Sequence, residues 1–434
     1  MLYYDNPKFK HFHYDDYFNV LKFREEDWNQ LIPNIKEFFM TVAKHTKNIE
    51  FKNFEVENIL HTSREIIEDT LLDKKVTITL YNNKKDIDHH FIFIVPYMDK
   101  QHKLTINGNK RFLVFQLTDL TVTRRKTLIR INSNIRSIII NINRFYKNQD
   151  IGDKPNYYVE MGGTQIPLIC ILMARLNLKE LEKLTGIKIT FNQVTQDNHT
   201  LSEAFKLEIP ENTPPEYIWL FEDLNKELIL HESFPKRENK LKDYFRKHCQ
   251  KGLKINIVDI LDDVEKLDIY LKRYLISDSI EEDILLMLRM PQHIIHINDL
   301  KFKRVRIHEY ILGYIMNQVF NQLYKFLPSM KQASRNYSIS NLLTSKFQQM
   351  VRLSKTEDNL VAELAELLKV TSVGPGGIPL ESVTTNDRNI HESYYGILDP
   401  IVTPDGEKCG IVNYITLTCP INKDGTFDFN KIIK

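Results

Sequence analysis

Alanine is nearly missing from this sequence, with six residues in 434. Lys, Asn and Ile abound instead. Their codons are A/T-rich and every alanine codon begins GC, so the bias reads as the imprint of an A/T-rich genome rather than of function. Cysteine is scarce as well. Cys170, Cys249, Cys409 and Cys419 form no C-x-x-C pair, which argues against a zinc site or redox dithiol and for reduced, mostly structural thiols of a cytosolic protein. No run reaches the roughly 18 to 20 apolar residues of a membrane-spanning helix; long ones such as Pro167–Met173 are core-sized. The opening MLYYDNPKFK lacks the basic-then-apolar pattern of a secretion signal. The expectation is a soluble chain with no membrane partner. Excess charge is missing too: 59 Lys and Arg face 57 Asp and Glu, a net +2. That excludes a histone-like polycation, so any nucleic-acid contact must come from charge segregated along the chain.

What is present suits a large globular chain. With 42% hydrophobic residues it can bury a core, and its length suggests about three domains at roughly 150 residues each. The first 75 residues look helical, with apolar spacing near 3.6 at Trp28, Leu31, Ile32, Ile35, Phe38 and Phe39 predicting one helix over Asp27–Ala43. From Val76 the period becomes two, through Val76, Ile78 and Leu80 and again over Phe91–Val95. Asn107-Gly108 sits between two alternating arms and predicts a tight hairpin. Short strands follow over Thr127–Ile142, then helices over Ile169–Leu176 and Lys179–Leu184, the second stopped by Gly186. Residues 187–280, charge-rich and punctuated by prolines, read as a separate small domain. Long helical patterns return at Glu309–Phe326 and Leu360–Val370. Residues 101–149 carry ten Lys and Arg against one acid, Asp119. Two readings of that stretch stay open, a solvated sheet face and a surface turned to a polyanion.

Self-contained active sites are not evident. No P-loop, H-E-x-x-H, G-x-S-x-G or G-x-G-x-x-G pattern occurs. His293 and His296 lie three apart near Asp299, but no third ligand follows at a metal-like spacing. Asn422-Lys423-Asp424-Gly425 starts like a calcium loop, yet the downstream ligands fail, and a hairpin turn is expected. The most unusual backbone is Gly374-Pro375-Gly376-Gly377. Three glycines around a proline cannot extend a helix and allow a close approach to a bulky partner. A binding loop and a plain turn both remain open there.

The C-terminal stretch carries a resemblance. Val373-Gly-Pro-Gly-Gly-Ile378, Asp387-Arg-Asn-Ile-His391, Tyr395-Gly396, Pro400-Ile401, Thr403-Pro-Asp-Gly406 and Gly410-Ile-Val-Asn413 follow one another as do LGPGGL, RDVH, HYG and PIETPEGPNIGLIN in the β subunit of bacterial-type multisubunit RNA polymerases. Upstream, Thr105-Ile-Asn-Gly108 with Val114-Phe-Gln-Leu117 resembles the family's INGxERVVVSQL hairpin. The Gln165–Asn177 segment resembles KLPxTxLLRALN, and Asn298–Arg306 resembles DHLGNRRIR.

The resemblance implies a multidomain α+β fold. Residues 1–148 would be the first part of the protrusion, 149–300 the lobe, 301–345 the second part of the protrusion, and 346–434 the fork and the start of the hybrid-binding region. It implies the N-terminal part of a β subunit, a component of a nucleotidyltransferase that is not active alone. Magnesium would be held by a partner, a β′-like chain carrying NADFDGD, a motif not found here. Further implied partners are a C-terminal β fragment, the DNA template and RNA transcript, and a promoter-specificity subunit. The A/T-rich composition, the truncated length and a tail at Phe427–Lys434 that reads as an end suit a split subunit of a large bacteriophage, working in the host cytoplasm or carried in the virion. A β-like scaffold or regulatory protein without transcription activity is the alternative.

By the same resemblance, Gly374, Pro375, Gly376 and Gly377 would form the fork loop where the DNA strands part. Lys303, Arg304, Arg306 and Lys369 would meet nucleic acid. Pro404 and Asp405, with Thr403 and Gly406, would lie beside the growing RNA end, and Lys408 would replace a family asparagine at the hybrid. Asn298 stands where the family's guanine-reading aspartate stands. Thr356, Glu366, Lys369 and Thr371 occupy the positions of the family's rifamycin pocket.

Overall fold

Proline decides how the chain enters its fold. In place of one helix over Asp27–Ala43, the computed structural model has two, α1 (Asn19–Asn29) and α2 (Leu31–His45). Pro33 has no N–H and its ring would collide with the carbonyl four residues earlier, so the helix breaks at Gln30 and restarts with proline in its first turn. The residues described are 19–60, 72–99, 101–125, 127–144, 155–192, 201–225, 234–250, 252–290, 297–321, 334–345, 350–353, 360–374, 377–378 and 380–432. They fall into two compact units, Met1–Leu120 with His296–Lys434, and Thr121–Ile295. Helices and mostly antiparallel sheets make up both units, an α+β fold as expected.

In the first unit, α2 buries Ile35, Phe38, Phe39 and Val42, and the Phe39 ring lies 4.9 Å from Phe91 and 5.7 Å from Phe93. Those two belong to a sheet of β1 (Ile49–Leu60), β2 (Leu72–Asn82) and β3 (Ile87–Val95). Strand β1 corrects the helical reading of the first 75 residues. A bulge between Phe51 and Asn53 shifts its register and most of its side chains are exposed, so no clean period of two marks it. The hairpin of β4 (Leu104–Ile106) and β5 (Asn109–Leu113) turns at Asn107 and Gly108. Their φ values of +53° and +77° are what a primed turn demands. Strand β6 (Phe115–Asp119) follows.

The second unit is built on a sheet that runs in chain order: β7 (Val122–Arg125), β8 (Leu128–Ile131), β9 (Ile138–Arg144), β10 (Pro155–Met161) and β11 (Thr164–Pro167). Helix α3 (Leu168–Arg175) buries every residue from Leu168 to Ala174, as a helix apolar all round must. Helix α4 (Leu178–Thr185) opens with a capping box between Asn177 and Glu180 and closes on Gly186 at φ +74°. Asn177→Ala should lower the unit's unfolding free energy by about 1 kcal/mol, read as a fall in its urea midpoint. A hairpin of β12 (Lys188–Phe191) and β13 (Phe205–Glu208), joined through α5 (Leu201–Ala204), precedes helices α6 (Pro215–Asn225), α7 (Leu241–Gln250), α8 (Ile257–Leu267) and α9 (Ile280–Arg289).

The basic stretch at 101–149 is divided between the units, and part of it points inward. Lys103 is buried and pairs with Glu363. In the second unit, Arg124 is buried and donates to the carbonyls of Met287 and Leu288 at 2.6 and 2.5 Å. It thus satisfies the last turn of α9, where a cation is favoured.

The first unit resumes with β14 (Lys303–Arg306) and α10 (His308–Val319). The rest of the helical pattern expected to Phe326 lies partly outside the described residues. Strand β15 (Ser334–Ser338) adds to β3 in parallel, followed by α11 (Ile339–Ser345) and β16 (Val351–Leu353), which pairs with β5. Helix α12 (Leu360–Leu367) stops short of Val370, because β17 (Lys369–Thr371) is drawn into a sheet with β6 and β18 (Val412–Tyr414). The Asn422 turn is the expected hairpin: Asn422 N–H donates to Thr426 O and Gly425 N–H to Asn422 O, both at 2.9 Å.

Candidate nucleic-acid interface

Strand β14 is four residues long, three of them cationic, and all four are buried. It pairs with β6 in the sheet β14-β6-β17-β18. The register sets Lys303 opposite Asp119, and Lys303 Nζ reaches the Asp119 carboxylate at 2.6 Å. Helix α10 begins just after the strand, which places Glu309 in its first turn, where negative charge is favoured. Glu309 Oε1 accepts from Arg304 Nη2 at 2.6 Å and Arg306 Nη1 at 3.0 Å. Arg306 Nε donates to Gln116 Oε1 at 2.8 Å. The three cations that the resemblance aims at phosphates are therefore engaged inside the folded chain by Asp119, Glu309 and Gln116.

Sequence reasoning missed Arg24. It is fully buried, donates to Leu113 O at 2.5 Å and to Leu367 O, and lies 4.5 Å from the centre of the Phe115 ring. Burial pulls its guanidinium down to about 10, against the opposing influence of Tyr310 and Asp27. It joins α1 to the ends of β5 and α12. Its signal was available: Val20, Arg24 and Trp28 recur at four-residue steps, a charge on the apolar stripe of a helix.

The glycine turn leaves β17 after one rung. Ser372 O accepts from Ile378 N–H at 3.0 Å, and Gly374 O from Gly377 N–H at 2.9 Å. Pro375 and Gly376 lie outside the described residues. Gly374 has φ +127°, and a Cβ there would come 2.9 Å from Met350 Sδ. A Cβ on Gly377 would sit 2.5 Å from Ser372 O and 2.8 Å from Gln116 Nε2. At these two positions the missing side chains permit close approach to the protein's own interior.

The later residues form an outer group. Thr403 Oγ1 donates to Val412 O at 3.0 Å and accepts from Gly410 N–H at 2.9 Å, closing a loop over 403–412. Within it Pro404 is half-buried, while Asp405 and Lys408 are exposed. Arg388, of the Asp387-Arg388 motif, braces the loop through Nη1 to Glu407 O at 2.7 Å and Cys409 O at 2.8 Å. Asn298 is buried, and its Nδ2 donates to Asn386 O at 2.8 Å and Asn389 O at 2.7 Å. Lys369 Nζ lies 2.6 Å from Glu366 and 5.5 Å from the centre of the Tyr414 ring.

Thus Lys303, Arg304, Arg306, Gly374 and Gly377 converge around β6, while Pro404, Asp405 and Lys408 lie on a separate loop. His293, His296 and Thr356 fall outside the described residues. Among the described residues no group of three or more His, Cys, Asp and Glu is placed to hold a metal ion. Cys170, Cys249 and Cys419 are buried and Cys409 is exposed; burial pushes the Cys249 thiol up to about 12. No helix among the described residues is long and apolar enough to cross a membrane.

Residues 355–421 match the family model for RNA polymerase Rpb2, domain 3. The chain is 23% identical over 355 residues to a DNA-directed RNA polymerase subunit beta of Chara vulgaris, a match covering 76% of this chain and 32% of that one. It is 35% identical over 78 residues to a DNA-directed RNA polymerase subunit beta N-terminal section of Stigeoclonium helveticum, 18% of this chain and 11% of that one. The corresponding N-terminal section of Chlamydomonas reinhardtii is 40% identical over 67 residues, 15% and 8% of the two chains. The chain spans about a third or less of the length of these curated relatives.

Proposed function

We propose that this chain, similar over three quarters of its length to a DNA-directed RNA polymerase subunit beta and over shorter stretches to N-terminal sections of that subunit, is the N-terminal section of a split β subunit in a multisubunit polymerase. The observation that carries the reading is that similarity over 355 residues, in a chain whose motifs keep the family's order. Residues 1–148 and 301–345 then serve as protrusion, 149–300 as lobe and 346–434 as fork. The Gly374–Gly377 turn lies where the DNA strands part, the exposed Asp405 lies beside the growing RNA end, and the exposed Lys408 lies at the hybrid. Lys303, Arg304 and Arg306 act from within, fixing β14 and β6 beneath the turn, and any phosphate contact by them requires release from Asp119 or Glu309.

Chemistry comes from the assembly. A β′-like partner with NADFDGD holds magnesium, which supplies the charge stabilisation for phosphoryl transfer when bound, and this chain shapes the channel without donating ligands. A C-terminal β section completes the fold, for which the exposed Ile390, Tyr395, Ile401 and Val402 offer apolar contact. The A/T-rich composition favours a large bacteriophage and the cytoplasm of its bacterial host, with a further subunit reading promoters. Affinity capture of the chain from infected cells tests this. Near one-to-one recovery of a second β-like fragment and an NADFDGD chain supports it; recovery alone, or with capsid proteins only, replaces it with a scaffold role.

The assembled enzyme is expected to transcribe at rifampicin concentrations that stop a bacterial polymerase. At the pocket's positions stand Glu366, Lys369 and Thr371, and the first two neutralise each other at 2.6 Å. Run-off transcription across a rifampicin titration checks this.

A further inference from the structure

We propose that Gln116 is a positioning residue for the glycine turn, an adaptor that transmits the geometry of the buried Arg306–Glu309 pair to Gly374–Gly377. What the turn does rests on the polymerase reading; how it is held does not.

Gln116 has no exposed surface. It occupies one rung with Arg306 on β14 and Thr371 on β17. Arginine has donors only, so Arg306 Nε, 2.8 Å away, selects the carbonyl oxygen of the amide. That choice leaves Nε2, with its two N–H donors, on the other side. There it lies within 2.8 Å of where a Cβ of Gly377 would be and 3.3 Å of one on Gly374. Arg306 cannot turn freely, because Glu309 Oε1 holds its Nη1 at 3.0 Å. The second side of the turn's base is set by the same rung: Thr371 Oγ1 accepts from Val373 N–H at 3.2 Å. Carboxylate, guanidinium, amide and turn thus stand in series, each orienting the next. The amide is the neighbour that a Cβ on either glycine would share, beside Met350 Sδ at 2.9 Å for Gly374 and Ser372 O at 2.5 Å for Gly377.

The test is amide hydrogen exchange on the full chain, read over residues 372–378 and, as an internal reference, over β7–β9 of the second unit. Gln116→Met keeps the volume and removes both polar groups. Gln116→Glu keeps an oxygen for Arg306 but replaces the donors with an acceptor facing the turn. Gln116→Met loses the bond from Arg306 Nε and is expected to speed exchange over 372–378 about 10-fold, the equivalent of one lost hydrogen bond. Gln116→Glu is expected to speed it in the same direction, and the reference should be unchanged in both. Wild-type exchange over the turn in Gln116→Met would show that Gln116 only fills space and would overturn the proposal.

A second arm covers variants that destabilise the whole unit. Arg306→Met removes the donor that orients the amide, so its effect on exchange over 372–378 combined with that of Gln116→Met should be less than the sum of the two alone. Strict additivity would also overturn the proposal. Because exchange is read on the chain without its partners, failure of transcription leaves this result standing, and failure here leaves the polymerase reading standing.

Discussion

Glu309→Ala is expected to destabilise the first unit by about 3–5 kcal/mol, the usual consequence of removing one partner from a buried ion cluster. The Glu309 side chain is 2% exposed, and its two arginines are 6% and 4% exposed. Without the carboxylate, two buried guanidiniums would face one another with no charge between them, and water could not reach them without opening the sheet. Trp28 lies in this unit and Trp219 in the other, so urea unfolding followed by Trp28 fluorescence in a Trp219→Phe background isolates the effect. Glu309→Gln keeps an acceptor oxygen and should lose less. Replacing Arg304 and Arg306 with methionine as well should restore much of the loss, since the penalty lies in the unmatched charges rather than in the missing pair. A loss below about 1 kcal/mol in Glu309→Ala, the range of exposed pairs, would show that the arginines are solvated.

The same cluster shows where sequence reading stops. Asn107-Gly108 and the Gly186 stop were legible because turn and cap geometry is decided within a few residues. Pro33 was legible in principle, but the apolar spacing ran through it and concealed the break. Strand β1 carries a bulge and little burial, so neither period could mark it. Lys369–Thr371 continues a helical pattern and becomes a strand only because β6 and β18 lie beside it.

For the candidate site, residue types and motif order were readable, and direction was not. Lys-Arg-Val-Arg looks like a surface for phosphates until the partners are known. Gln116 lies 190 residues from Arg306, and Asp119 lies 184 from Lys303. No local pattern announces a pairing at that distance. Arg24 was the exception, a buried charge that its place on an apolar stripe could have flagged.

In the second unit, Arg175→Ala is expected to cost a similar 3–5 kcal/mol near pH 7, and the loss should shrink in acid. Arg175 ends α3 and meets three carboxylates, Asp262 at 2.6 Å and Glu265 at 2.5 Å from α8, and Glu281 from α9. Burial alone would lower its pKa, but Glu281 and Glu265 raise it above the ordinary value. For Glu265, burial would raise the pKa, yet hydrogen bonds from Lys272 and Arg175 hold it below its ordinary 4.5. A carboxyl whose pKa is lower folded than unfolded stabilises the fold above the unfolded value, and that contribution disappears as pH falls through the folded one. The intact unit should therefore weaken below about pH 4.5. In the variant, burial and the neighbouring carboxylates act on Glu265 against Lys272 alone, and protonation relieves the repulsion that Arg175 had balanced. Acid then removes stability from the wild type while sparing the variant, and the gap between them narrows. Urea titrations followed at Trp219 in a Trp28→Phe background, at about pH 7 and about pH 3, on either side of the ordinary carboxylate range, measure that gap. A gap of equal size at both would mean that Arg175 holds α3, α8 and α9 together by packing its stem rather than by its charge.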